Sequence, residues 1–380
     1  KQVVIANKYD FIDLSQFYID FQIIEDGYEI YKGTTKLPSL KPNTIAKIKL
    51  PYNVELNQEK ESFINLQLRL KEANHWADKD YAMAHWQFAI NKIENRLQEV
   101  KESKEAFLVQ EDNNQLTLEN KGFKISFDKQ NGEILYWKYD GFEVISDRKG
   151  SPHYNNNRWI ENDKHGDSIS GELASTCEIK LNKEKTKAEI KITTKGEKCP
   201  YTIEYTVYSN NIVDMKVTMN PIVEGLRRLG LGMIFSKDFE EIDYYAKGPW
   251  ENYNDRQEAS FVGRYSTTVS DMLTPYAHPQ SCGNRQEMRE IFLYKKGSTK
   301  GLKIEANQPI AFSMLHFDDK DFNKEKLHPW ELNPREEVYA HFDFVQRGLG
   351  NGSCGPQTIE KYQVPSSGTY SFTLRFSPLR

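Results

Sequence analysis

The chain has 380 residues, with 51 Lys plus Arg against 55 Asp plus Glu and a net charge of -4 at neutral pH. That length is enough for two or three domains with cores of their own, so no disulfide framework is needed to hold the fold. The near balance of charge excludes the basic field that draws nucleic acid or an anionic membrane, and the sequence holds no run of eighteen apolar residues that would span a bilayer.

The first residues, Lys1-Gln2-Val3-Val4-Ile5, look like a strand and have neither an initiating Met nor the long apolar core of a secretory signal, so the chain is expected to be cut from a longer polypeptide. Residues 17–24 and 28–31 alternate apolar and polar side chains on either side of Asp26-Gly27, a pair that favours a two-residue hairpin turn. Ile64, Leu66, Leu68 and Leu70 alternate with Asn65, Gln67 and Arg69, which gives that strand one apolar face and one wet face. Strands at this short spacing predict an immunoglobulin-like β-sandwich over residues 1–93, closed by the strand around Trp86 and Phe88. Residues 94–110 are rich in Lys, Glu, Asn and Gln and are expected to form a polar linker, extended or with one or two helical turns.

Alternation resumes over residues 111–380. Segments around Leu116, Phe123, Ile134 and Phe142 are separated by Asn131-Gly132 and Asp140-Gly141 turns, and the pattern runs on through residues 187–192, 202–207, 212–217 and 370–376. The region is too long for a seven-stranded module, so a large two-sheet sandwich is predicted. Trp76, Trp86, Trp137 and Trp159 are expected mostly inside the sandwiches. The four cysteines, Cys177, Cys199, Cys282 and Cys354, have no CxxC spacing, and the eight histidines never stand at the i, i+4 spacing of a helical zinc site. Free or buried thiols are expected, and no metal or other cofactor.

The densest polar motif is Gly248-Pro249-Trp250-Glu251-Asn252-Tyr253-Asn254-Asp255-Arg256. The Gly-Pro pair interrupts a strand, and the carboxylate, amide, phenol and guanidinium that follow pair well with polyhydroxylated ligands. They pair equally well with one another, as a buried network locking a sandwich corner.

The motif resembles the GP-x-E-x-Y-x-D-R signature of the C-terminal β-sandwich domain of glycoside hydrolase family 2 β-galactosidases. Further segments are similar to that family in the same order: Pro279-Gln280-Ser281-Cys282-Gly283-Asn284-Arg285, His328-Pro329-Trp330-Glu331-Leu332, and Asp343-Phe344-Val345-Gln346-Arg347-Gly348-Leu349-Gly350. Upstream, Glu161-Asn162-Asp163 is similar to the family's Asp-Asn-Asp, with Arg158-Trp159-Ile160 in place of the usual Arg-Ala-Pro. The resemblance implies an all-β fold, an immunoglobulin-like fourth domain followed by a large antiparallel supersandwich like that of galactose mutarotase.

Retaining glycoside hydrolysis needs two carboxyl groups about 5 Å apart across the scissile bond. In the family both come from a central (β/α)8 barrel, and no segment here alternates strands with long amphipathic helices. No catalytic role is therefore expected for Glu161, Glu251 or Glu331. The resemblance implies accessory work instead: shaping the active-site rim and the subunit contacts of a parent enzyme that hydrolyses β-galactosides. Its partners would be the remaining barrel domains, a galactoside substrate and, in a homo-oligomer, further copies. Rim candidates are Arg158, Glu161, Asn162, Asp163, His165 and Gly166 on one loop, and Ser353 and Cys354 on another. Trp250, Glu251, Tyr253, Asp255, Arg256, Asn284 and Arg285 are expected as structural or subsite residues. Cys354 stands where many family members carry a Trp, and a thiol offers far less area for stacking than an indole. Two other readings compete, a free-standing carbohydrate-binding protein and a small subunit that joins a separately encoded barrel subunit. An isomerase would need a His and Glu pair on facing strands, which no motif singles out.

Overall fold

The computed structural model describes residues 1–101, 103–161, 175–323, 325, 328–350 and 355–379. Of the rim candidates, Asn162, Asp163, His165, Gly166, Ser353 and Cys354 lie outside the described residues. The chain divides into two units, Lys1–Glu94 and Asn95–Arg380. Among the described residues every strand pairing is antiparallel, which is incompatible with a (β/α)8 barrel. No helix among them is long and apolar enough to cross a membrane.

The first unit holds β1 (Gln2–Ala6), β2 (Phe17–Glu25), β3 (Tyr28–Lys36), β4 (Ile45–Lys49), β5 (Ser62–Leu70) and β6 (Ala82–Asn91). Four of these form a sheet in the order β3-β2-β5-β6, and β1 pairs with β4. Alternate residues of β2 (Phe17, Ile19, Phe21, Ile23) and β5 (Ile64, Leu66, Leu68, Leu70) build the core with Ile48 and Leu50. Asp26 and Gly27 take φ values of 45° and 83°, the left-handed pair that matches the twist of a two-residue hairpin. Trp86 and Trp76 depart from the expected interior positions and are 45 % and 54 % exposed, and Phe88, on the same strand as Trp86, is 51 % exposed. Trp86 shares a register position with the buried Leu66, but β6 is an edge strand and the opposing sheet is only two strands wide, too narrow to cover it.

Among the described residues the second unit contributes seventeen further strands to two sheets. The smaller is a meander of five in the order β11-β10-β9-β8-β7: β7 (Leu108–Glu111), β8 (Gln115–Asn120), β9 (Phe123–Asp128), β10 (Ile134–Tyr139) and β11 (Phe142–Ile145). The larger has twelve strands: β12 (His153–Tyr154), β13 (Ser175–Leu181), β14 (Lys187–Thr194), β15 (Tyr201–Tyr208), β16 (Ile212–Met219), β17 (Arg228–Phe235), β18 (Phe239–Gly248), β19 (Phe261–Thr268), β20 (Arg285–Lys295), β21 (Gly301–Leu315), β22 (Val338–Gln346) and β23 (Tyr370–Leu379). One continuous core lies between them. Trp137 of the meander meets Phe376 edge-on at 5.2 Å between ring centroids, and Phe127 meets Tyr205 at 5.4 Å. Trp137 is fully buried, as expected, and Trp159 packs partly buried against the same core.

The polar segment after Glu94 forms no helix among its described residues and is laid along the second unit. Arg96 donates its backbone N–H to the Asn307 carbonyl (3.0 Å), Gln98 accepts from Arg375 (2.6 Å), and Phe107 is buried in the core. A segment with few apolar side chains is held here by its backbone groups, which find partners as any desolvated peptide must.

Candidate functional site

At the end of β18 the chain reaches Gly248, passes through a cis peptide to Pro249, and forms the motif loop. Tyr253 and Arg256 exchange backbone hydrogen bonds of 3.0 and 2.9 Å, so Asn254-Asp255 is a tight two-residue turn. Trp250 points its indole outward at 67 % exposure, whereas Asn252 and Tyr253 are buried. Burial, and after it the neighbouring Glu251 charge, hold the Tyr253 phenol far above its ordinary range, so it stays neutral.

Glu251 is tied down by three donors. Its carboxylate takes the Arg256 guanidinium at 2.5 Å, the Tyr276 hydroxyl, and the Gly283 N–H at 2.9 Å. Asn252 accepts the Gln286 N–H at 2.9 Å and receives Asn284 Nδ2 on its own carbonyl at 2.7 Å. Arg285 is buried and donates Nε to the Pro249 carbonyl at 3.1 Å. The loop and the Gly283-Asn284-Arg285 segment are thus stitched together, although they are far apart in sequence.

A second layer lies beneath. Gln346 joins Asn284 Oδ1 (3.4 Å) to Asp343 Oδ2 (3.3 Å), and Asp343 faces Arg228 at 2.8 Å with both side chains buried. Arg158, also buried, donates to the Gln346 side chain at 3.5 Å and to the Arg347 and Gly348 carbonyls. Asp255 accepts the Gly350 N–H at 3.0 Å, and a Cβ at Gly348 would fall 2.5 Å from Asp255 Oδ2, so only glycine lets that backbone come so close. Arg158, Glu251, Asp255, Arg256, Asn284 and Arg285 therefore belong to one connected cluster. Glu161 stands apart, exposed and bound to His278 at 2.7 Å.

Arg228, Asp319 and His341 were not singled out from the sequence. One signal was available for Arg228: a charge set in the apolar run Leu226-Arg227-Arg228-Leu229-Gly230-Leu231 is rarely buried without a partner. Asp319 receives His341 Nε2 at 2.9 Å and Asn155 Nδ2 at 3.0 Å. Burial works against its charge, but His341, Arg228 and Asn155 outweigh that and hold the carboxyl at about 2.

The chemistry open to the motif cluster is limited. Glu251 carries three donors and Asp343 is wholly buried on Arg228, so neither carboxylate is free to act as acid or nucleophile. The cluster is a rigid corner that presents Trp250 and the half-exposed Arg256.

Comparison with known proteins gives a consistent result. A family model described as beta galactosidase small chain matches residues 119–376, and one described as beta-galactosidase, domain 4 matches residues 3–91. A beta-galactosidase from Actinobacillus pleuropneumoniae is 24 % identical over 99 % of this chain, and one from Lactobacillus delbrueckii subsp. bulgaricus is 26 % identical over 100 %. The chain spans 37 % and 38 % of the length of those two relatives. Among solved structures, a GalM/aldose epimerase homologue from C. elegans is 10 % identical over 68 % of this chain and 96 % of its own, with a TM-score of 0.37.

Proposed function

Because the chain belongs to the beta-galactosidase small-chain family, we propose that it forms the non-catalytic C-terminal part of a β-galactosidase, a retaining glycoside hydrolase whose active-site rim and subunit contacts it shapes. The observation that carries this reading is the state of Glu251: in the chain's most distinctive motif, the carboxylate is consumed by three internal donors. Such a loop positions its neighbours and performs no proton transfer. Trp250, exposed on that rigid corner, and Glu161, paired with His278 beside the segment that begins at residue 162, are the rim residues on this reading.

The test is reconstitution. The purified 380-residue chain releases no product from a nitrophenyl β-galactoside, and activity appears when the chain is covalently joined to, or co-expressed with, the barrel-bearing part of the same enzyme. Hydrolysis by the chain alone would overturn the proposal, and so would full activity of the barrel part without it. The family's description as a small chain also supports a separately encoded subunit; an upstream barrel in the same reading frame would remove that second reading.

A further inference from the structure

The four-stranded sheet of the first unit ends on an edge that no strand among the described residues pairs. In the order β3-β2-β5-β6, strand β6 has a neighbour on one side only, so alternate backbone N–H and C=O groups along it point away from the sheet. Trp86, Phe88 and Ile90 stand exposed along this strand. Tyr81, exposed one residue before the strand starts, meets the exposed Trp76 edge-on at 6.1 Å between ring centroids.

Proteins blunt such edges with charge, Pro or a bulge. Other edge strands of this chain follow the rule: β7, β11, β13 and β19 each carry at least one Lys, Arg or Glu, and β3, the opposite edge of the same sheet, carries Glu29, Lys32 and Lys36. Strand β6 carries no charged residue and no Pro in its ten positions. Its pairing with β5 is regular from Ala84 to Ala89, with irregularities only toward the two ends, so no central bulge twists the edge away.

An unguarded backbone edge is a template for another strand, and the side chains specify which one. When two β6 strands are paired antiparallel about Trp86, that residue lies opposite the partner's Trp86 and Phe88 lies opposite the partner's Ala84. A central aromatic pair is then flanked by large side chains set against small ones. No like charges meet along the seam, because the strand has none. Just past its ends, the same register brings exposed Lys92 to the partner's Asp80, also exposed, and symmetry repeats the contact. A parallel pairing would instead set like charges together at both ends.

We propose that β6 is a self-association edge: two copies of this chain pair β6 with β6, antiparallel about a two-fold axis at Trp86, and join two four-stranded sheets into one. The association closes at two, since each copy uses its β6 once and the opposite edge is guarded by charge. It gives the subunit contacts proposed above a named surface, but it rests on the strand itself and not on the activity of a larger enzyme.

The experiment is sedimentation equilibrium of the 380-residue chain in reducing buffer, from about 1 to about 200 μM, with thermal melting to establish that each variant is folded. A monomer-dimer equilibrium without larger species is expected. Trp86→Lys and Trp86→Glu each put like charges face to face and should raise the dimer dissociation constant about tenfold or more. An equimolar mixture of the two should recover the dimer, because the register sets position 86 opposite position 86; variants that had only lost stability would not rescue each other. If the Trp86 variants do not fold, Phe88→Lys decides, with a similar loss expected, while Lys32→Ala on the charged edge should leave the equilibrium unchanged. A monomer at every concentration, dimers unchanged in the folded Trp86 or Phe88 variants, or a mixture that stays monomeric would overturn the proposal. So would a monomeric chain that needs Trp86 only to bind the barrel-bearing part, a result that would assign the edge to the rest of the enzyme. Because the readout is mass and not hydrolysis, failure here leaves the reconstitution test unaffected.

Discussion

Arg228 and Asp343 face each other across the neighbouring strands β17 and β22, with Nη1 and Oδ2 2.8 Å apart and side-chain exposures of 4 % and 0 %. The two residues are 115 positions apart in the chain, and the pair anchors the layer on which the motif loop rests. Its energetic character is decided by desolvation. Each charge is costly alone, and the pair is tolerable because each satisfies the other.

Removing one partner should therefore cost far more than removing both. Arg228→Met is expected to destabilise the second unit by about 3–5 kcal/mol, since it leaves the Asp343 charge buried without its counter-ion. Arg228→Met combined with Asp343→Leu should recover a large part of that loss. Urea unfolding of the two singles and the double gives the coupling energy, and additive losses would show the pair to be uncoupled.

Asp319 makes stability depend on acidity. Its carboxyl is held at about 2 in the fold, below its ordinary value of 3.8. A depressed carboxyl contributes stability that is present above its unfolded pKa and is lost as pH falls through the folded one. The contribution, on the order of 2 kcal/mol, should be constant above about pH 5 and fade between pH 4 and pH 2. Urea midpoints of wild type and Asp319→Asn across that range should converge at the acid end; parallel curves throughout would contradict the assignment.

Glu251 and Arg256 form one ion pair whose two ends should not behave alike. Glu251 has 7 % side-chain exposure and Arg256 has 50 %. Glu251→Gln removes the acceptor charge from three donors and is expected to cost about 1–3 kcal/mol. Arg256→Ala should cost about 1 kcal/mol or less, because water replaces much of what it loses. Thermal melts rank the two. In the complete enzyme Glu251→Gln should keep kcat within about tenfold, and a loss of several orders of magnitude would assign it to catalysis.

Cysteine labelling should follow burial. Cys199 and Cys282 are buried, and desolvation pushes both thiols up to about 12, so neither presents a thiolate at pH 8. Cys177 is half-buried, and burial raises its thiol less. Mass spectrometry of alkylated peptides should find Cys177 modified well before Cys199 and Cys282 in native protein, with the difference gone in urea. Equal native rates would show that the core opens.

Glycine turns and period-two alternation carried most of what could be read in advance. Asp26-Gly27 fell at the hairpin, and Asn131-Gly132 and Asp140-Gly141 fell between strands of the meander, because left-handed backbone is a local demand that few residues meet. The failures were equally physical. Trp86 alternates correctly, yet it lies on an edge strand that the opposing sheet does not reach, and alternation tells which face a residue takes without telling whether anything covers that face.

The sequence by itself determined the all-β class, the strand periodicity and the ordered motifs that mark the family, since each depends on neighbours within a few residues or on a linear string. The tertiary structure alone decided the partners of the charges: Glu251 with Gly283 and Tyr276, Arg158 with Gln346, Arg228 with Asp343, Asp319 with His341. Whether a carboxylate is reactive or silent depends on the donors that surround it once water is gone, and in a sheet those donors come from strands whose positions in the chain bear no simple relation to their positions in space.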